Sequence, residues 1–405
     1  MSDISRRHLM QTAAGLAAVA GSIQPAMAQM GKADIRSRLA LAPGLLYANA
    51  ANLCPTFQTA IAAEKAESAA LQANPSQEYR QKYNPMVVTI HARLAKQLNT
   101  VPNAVALTRN CSEGSGVISR GVQLKAGDEV IIGRENHPSN TNMWKRRAMR
   151  EGIVVKIADV PAEPKTAQEV LDSYISLATP KTKVIALSHM TNIAGLIAPV
   201  NEIGRFARSR NIWFHLDAAQ TCGWKKIDVA AIGCDSMAAS THKWMMCPLG
   251  GGILYVRPER IAELDPLIMS VDYYHAGPNT DVNGQLFEFV GQRPDAMLPG
   301  MLAALDERDA ITEDVIEATA RANAAAVRKA LGAKGIKVIG SGDPALWGPC
   351  VAAEIKGLPE SRATLYQTKQ LACSGTRVND KPHLRISPHV YNTAEEMDRL
   401  AVMVS

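Results

Sequence analysis

Two residues of opposite charge, Asp217 and Lys243, stand about 26 positions apart, each at the end of a short apolar run. The first run, residues 212–216, closes on Asp217-Ala218-Ala219-Gln220, and the second, residues 236–240, closes on Thr241-His242-Lys243-Trp244. Apolar runs of this length bounded by polar residues read as strands. Strand ends that offer an amine and a carboxylate suit a cofactor held between them, and pyridoxal phosphate needs that pair. A lysine forms an imine with its aldehyde, and a carboxylate keeps the ring nitrogen protonated so that the ring accepts electrons from a substrate carbanion. Taken singly, the lysine reads as a solvated loop residue and the aspartate as a helix cap. Together, with Gln220 and His242 at their spacings, they point to the cofactor.

An anion site precedes them. Residues 104–107 read as a strand and 117–124 as a helix, joined by Thr108-Arg109-Asn110-Cys111-Ser112-Glu113-Gly114. A hydroxyl residue and bare amides at a strand-to-helix turn form a phosphate site, because first-turn N–H groups are unpaired and the helix dipole favours an anion. A plain Ser112 cap with Glu113 nearby is compatible, since cap and phosphate use the same amides. Strands at 128–132, 154–159, 184–188 and 250–255 alternate with helix-like segments, including 199–210. This alternation implies a parallel sheet with helices on both faces and ligands beyond the strands' C-terminal ends.

The stretches Leu216 to Gln220 and Ser240 to Lys243 resemble the fold-type I pyridoxal-phosphate enzymes. Within them, the likeness is to the class V aminotransferase group, with cysteine desulfurases, kynureninase and isopenicillin N epimerase. Matching motifs run from about Leu46 to Asp398. The resemblance implies an α/β fold: a large domain with a mainly parallel, seven-stranded-type sheet and a smaller α+β C-terminal domain. It also implies a homodimer. By the same resemblance Ser112, Glu113, Gly114, Ser240 and His242 belong to the cofactor site, His137 stacks on the ring, and Asn192 and Gln220 lie near it. Gln292 stands where relatives carry a threonine that reaches the partner subunit's phosphate, with Arg293 as an alternative anion ligand. Asn49 lies in a strip lining the substrate, and Arg385, in His383-Leu384-Arg385-Ile386-Ser387-Pro388-His389, binds the substrate carboxylate.

The expected organisation is a signal at 1–28, an N-terminal segment at 29–55, a large cofactor-binding domain at 56–305 and a small domain at 306–405. Helices are expected at 57–71, 85–98, 311–331 and 394–402, and antiparallel strands at 338–340, 351–355 and 373–378. Residues 272–299 lack periodicity and read as an active-site or subunit-contact loop. Arg6 and Arg7 precede an apolar run and the small-residue stretch Pro25-Ala26-Met27-Ala28. That is the pattern of a twin-arginine signal cleaved before Gln29, with the twin-arginine translocase as partner and the periplasm as destination. This route carries folded proteins, so the cofactor could be loaded before export.

With 405 residues, 47% apolar, the chain can bury a large core. Aromatics are sparse and no basic tract interleaves with them, which argues against nucleic-acid binding. A net charge of +6 is modest and favours anionic ligands weakly. The seven cysteines show no C-x-x-C pair and no metal spacing. A nicotinamide enzyme is disfavoured, because no G-x-G-x-x-G follows the first strand.

The resemblance implies an amino acid or amine-bearing metabolite bound as an external aldimine, with Lys243 as general base at the α-carbon. Transamination is the favoured outcome. Epimerisation and C–S or β-elimination are alternatives within the family, and a non-catalytic binding protein is an alternative outside it. Residues 379–383 hold no cysteine, so desulfuration through a protein persulfide is not expected. The Ser-Pro-His ending resembles isopenicillin N epimerase-like proteins, including exported ones that tailor siderophore side chains.

Overall fold

Runs of Val, Ile, Leu and Ala too short for helices and flanked by Gly, Asn or Asp make the centre of the molecule. The computed structural model describes residues 32–268, 283–288, 290–355 and 361–405. The expected signal and part of the irregular stretch at 272–299 lie outside them.

The main elements begin with β1 (Leu46–Tyr47), α1 (Gln58–Ala73) and α2 (Tyr83–Leu98). There follow β2 (Val105–Thr108), α3 (Cys111–Gly121), β3 (Glu129–Gly133), α4 (Pro138–Glu151), β4 (Val154–Ala158), α5 (Ala167–Ile175) and β5 (Thr182–Ser188). Then come α6 (Val200–Ser209), β6 (Trp213–Asp217), β7 (Ser236–Ser240) and β8 (Gly252–Val256). Seven strands form one sheet in the order β2-β8-β7-β6-β5-β3-β4. From β7 to β4 the neighbours are parallel, and β8 runs against both β7 and β2. Strands β3, β6, β7 and β8 are buried along their whole length, as helices on both faces require. This is the mainly parallel α/β architecture expected.

The register brings the functional ends to one edge. Ser188 pairs with Asp217, Asp217 with Ala238, and Ser240 and Thr108 both with Gly252. Only glycine fits at 252, since a Cβ there would lie 2.6 Å from both the Asn110 Cα and the Thr108 Oγ1.

The chain continues through α7 (Met297–Ile311), α8 (Glu313–Ala333), β9 (Val338–Ile339), β10 (Val351–Ala353), β11 (Leu371–Ala372), β12 (Ser374–Val378), β13 (Lys381–Ile386) and α9 (Ala394–Val404). Strands β12-β13-β10-β9 form an antiparallel sheet. Its own core includes Val327, Leu331, Val351, Leu384, Ile386 and Leu400. β1 pairs in parallel with β11, tying the N-terminal strip to this part. Thr393 and Glu396 close a capping box at the start of α9.

The helix expected at 311–331 is α8, two residues later at each end, and Thr312, at φ 75°, separates it from α7 and caps it through a bond from the Val315 N–H. Two other expectations change. The boundary expected between 305 and 306 falls inside α7. Residues 379–383, the stretch without a cysteine, read from the sequence as a short loop, hold a two-residue turn at Asn379 and Asp380 (φ 46° and 61°) and the start of β13. Positive φ at both central residues is what a tight hairpin demands, and Asn and Asp tolerate it.

Candidate active site

Strand β6 delivers Asp217 and β7 delivers the lysine turn to the same edge, because His215 pairs with Ser236 and Asp217 with Ala238. Gly223, at φ 109°, lets the chain after Asp217 lie directly on that turn; a Cβ there would be 2.4 Å from the Met245 nitrogen and the Trp244 carbonyl carbon. The turn is braced on several sides. The His242 carbonyl accepts the Cys54 N–H at 2.9 Å, the Trp244 indole donates to Gln220 Oε1 at 2.8 Å, and His389 Nε2 meets the Trp244 carbonyl at 2.9 Å.

Lys243 is half-buried, and its amine has no hydrogen-bond or ion-pair partner among the described residues. Asp217 is buried. Its Oδ1 accepts the Ala219 N–H at 3.0 Å and the Cys111 S–H at 3.2 Å, while Oδ2 has no partner among the described residues. One carboxylate oxygen is thus anchored to the protein, and the other is left for a cationic or N–H donor. Burial, then the Asp217 charge, raise the Cys111 thiol well above its ordinary value, so it stays a protonated donor.

His137 caps α4 and is exposed. Partial burial first, then the Lys243 charge, hold its pKa below the ordinary value; Asp217 opposes this and Arg385 adds to it. The three charges of the site therefore all act on this ring. Burial, then Lys243, likewise lower His242, whose Nδ1 is buried without a partner.

At the phosphate end, the cap of α3 is Asn110 and not Ser112: Asn110 Oδ1 accepts the Glu113 N–H at 3.0 Å. Ser240 Oγ accepts the Cys111 N–H at 2.9 Å. The Ser112 amide is left without a described partner, and its hydroxyl meets Ser139 Oγ, in the first turn of α4, at 3.1 Å. Ser139 Oγ in turn lies 2.8 Å from His137 Nδ1. Two helix N-termini thus converge on one spot, the electrostatics an anion needs.

Arg385, buried on β13, faces them from the smaller sheet. Its Nη1 donates to the Asn192 carbonyl at 2.9 Å and its Nη2 to Asn49 Oδ1 at 3.5 Å, while Nε is buried without a partner. Asn49 is placed by a parallel bridge to Ser387. Three segments distant in sequence meet at this guanidinium.

Residues 45–400 match the aminotransferase class-V family. The chain belongs to that family. It is 26% identical over 385 residues to isopenicillin N epimerase of Amycolatopsis lactamdurans, covering 91% of this chain and 96% of the relative. Its fold is shared with the apo cysteine desulfurase of Thermococcus onnurineus NA1, at TM-score 0.80 and 21% identity over 91% of this chain and 96% of the other. It is also shared with a C-DES variant carrying glycine covalently linked to its PLP cofactor, at TM-score 0.81 and 20% identity over 91% and 98% of the two chains. Pyridoxal phosphate is the cofactor of this class V enzyme.

The donors present fit that cofactor. The free Lys243 amine suits the aldehyde, Asp217 Oδ2 the ring nitrogen, and the Ser112 amide with the unpartnered His242 Nδ1 the phosphate. Several residues expected at the site also bond within the chain. The Glu113 carboxylate binds the Arg109 amide and guanidinium. The Gly114 amide bonds the Asn110 carbonyl, and a Cβ at 114 would lie 3.0 Å from the Ala238 Cβ, so this glycine serves close packing of α3 on β7. The Gln220 amide spans the Ala51 carbonyl at 3.0 Å and Trp244, bracing the lysine turn. Asn192 meets Arg385 through its carbonyl, not its side chain. Gln292 is exposed and bonds Arg80, and Arg293 is neutralised by Glu288 and Asp295. Both line a cleft of about 1000 Å³ that excludes this chain's own Lys243 and Asp217, and the phosphate contact expected of Gln292 is one to a partner subunit. Cys111 and Ser139 were not foreseen; the signal for Cys111 was its place in the first turn of the phosphate helix.

Proposed function

We propose that this class V enzyme acts on an amino acid or an amine-bearing metabolite with a carboxylate, and that transamination is its reaction. The observation that carries this reading is the pairing of a partner-free Lys243 amine beside Asp217 with Arg385, whose Nε is buried and unpaired. A buried guanidinium with an unsatisfied Nε and no carboxylate partner among the described residues is costly, and a substrate carboxylate would satisfy it. Arg385 then orients the substrate, with Asn49 and the Asn192 carbonyl fixing the fork. Lys243 Nζ takes the α-proton as general base, and transamination requires that it deliver that proton to the cofactor's aldehyde carbon, since return to the α-carbon on the same face would only regenerate the substrate. The bound cofactor supplies the electron sink for the pair left on the α-carbon. Retention of the lysine, aspartate and arginine together supports catalysis over mere binding, since a binding protein needs no base.

Likeness to cysteine desulfurases keeps C–S lysis as an alternative, but a route through a protein persulfide has no suitably placed thiol among the described residues. Cys373 is buried, burial pushes its thiol up to about 12, and the tight Asn379–Asp380 turn offers no cysteine. Epimerisation is the second reading, favoured by the full-length likeness to isopenicillin N epimerase. It would need a proton donor on the face opposite Lys243. We further propose a homodimer, on the family resemblance, and export to the periplasm by the twin-arginine translocase, on the residue 5–28 pattern.

The test is a screen of amino acids and amines in D₂O, following cofactor absorbance and identifying products by mass and chirality. A 2-oxo acid with a stoichiometric spectral change supports transamination. Stereoinversion with deuterium at the α-carbon and no oxo acid would replace it by epimerisation.

A further inference from the structure

Beneath Asp217 runs a line of buried polar side chains that the proposed reaction does not use. Trp213, His215 and Asp217 alternate along β6 and so share one face. That face meets α3, where Cys111 and Ser115 lie one turn apart. The Trp213 indole N–H donates to Ser236 Oγ at 2.9 Å. His215 Nδ1 lies 2.9 Å from the same oxygen, and its Nε2 lies 3.1 Å from Ser115 Oγ. Ser115 Oγ lies 3.9 Å from Cys111 Sγ, and Cys111 donates to Asp217 Oδ1 at 3.2 Å. All six residues are buried.

The ends of this line fix its direction. An indole N–H can only donate, and an ionised carboxylate can only accept. Ser236 receives the Trp213 proton, so its own hydroxyl proton must go to His215 Nδ1. Nε2 then carries the imidazole proton and donates to Ser115, whose hydroxyl donates to Cys111, whose thiol donates to Asp217. The opposite histidine tautomer would give Ser236 two incoming N–H groups and strand its own proton among buried groups. Imidazolium would do the same, and burial opposes it by lowering His215 to about 4.

We propose that Trp213, Ser236, His215, Ser115 and Cys111 are positioning residues: a one-way hydrogen-bond relay that holds Asp217 Oδ1 as an ionised acceptor and leaves Oδ2 to the cofactor's ring nitrogen. The proposal rests on the cofactor assignment but not on which reaction follows. It explains why a sheet–helix interface otherwise lined by apolar residues buries two serines and a histidine, which cost free energy unless every polar atom is satisfied.

The direct test is ¹⁵N NMR of the histidine-labelled wild-type holoenzyme near neutral pH, with His215 assigned by loss of its signal in His215→Gln. The relay requires a neutral ring protonated on Nε2. A ring protonated on Nδ1, or on both nitrogens, overturns it. Because the wild-type spectrum carries the result, poor folding of a variant does not blunt the test. The second measurement uses holoenzyme loaded with ring-¹⁵N cofactor. Cys111→Ala, which removes the last donor, should shift the ring-nitrogen signal and lower kcat about tenfold with KM little changed, the loss expected of one hydrogen bond to a charged group. Cys111→Ser, which keeps a donor, should restore both towards wild type. A ring-nitrogen signal identical in wild type and Cys111→Ala would show that the line is packing alone. Either signal can be read whether the enzyme transaminates or epimerises.

Discussion

The two ends of the active site are held by different means. At the cofactor end, Asp217 and Lys243 leave adjacent parallel strands in fixed register, and the carboxylate is anchored from below by Cys111 and the Ala219 amide. At the substrate end, Arg385 comes from the other sheet and is steadied by the Asn192 carbonyl and by Asn49 at 3.5 Å, with Nε left open. Backbone register sets the first end, while a few side-chain contacts across sheets set the second. Chemistry should therefore depend steeply on the first, and substrate affinity on the second.

The sharpest break between them is Asp217→Asn. It should retain cofactor on Lys243 but lower kcat by several orders of magnitude, because the ring nitrogen loses the anion that keeps it protonated. Arg385→Ala should chiefly raise the half-saturating concentration of carboxylate substrates, by about 2–5 kcal/mol if a buried ion pair is lost. Steady-state kinetics on both variants check this, and equal effects on the same parameter would erase the distinction between the two ends. Cys373→Ser, behind the substrate end, should leave turnover nearly unchanged, and incubation with cysteine should leave no persulfide detectable by mass. A sulfur adduct on Cys373 would move the reaction to the desulfurase branch. The smallest effect on catalysis is expected from Arg6→Lys with Arg7→Lys. This pair should trap an active precursor inside the cell, as fractionation would show, and continued export would count against the twin-arginine assignment.

The same contrast governs what the sequence disclosed. Asp217 and the lysine turn were legible because parallel strands buried on both faces read as continuous apolar runs that stop at their functional ends. Arg385 was legible only through resemblance. Its strand, Lys-Pro-His-Leu-Arg-Ile, sets Lys381, His383 and Arg385 on one face and Pro382, Leu384 and Ile386 on the other, an alternation that marks a strand but does not distinguish a ligand arginine from a solvated one. The Asn110 cap was hidden because Ser112 is an equally good cap by type, and only geometry shows which side chain turns back on the Glu113 amide. The helix at Met297–Ile311 was hidden because its start lies in the stretch 272–299, which lacks periodicity. The polar line under Asp217 was hidden because His215 and Ser236 sit inside apolar runs, although the alternation of Trp213, His215 and Asp217 already placed them on one face.

The most direct measurement is borohydride reduction of the purified holoenzyme followed by peptide mass mapping. The reduced cofactor should lie on Lys243, in the peptide containing Thr241-His242-Lys243, with stoichiometry near one per chain. Cofactor fixed on any other lysine, or none fixed at all, would contradict the assignment of Lys243.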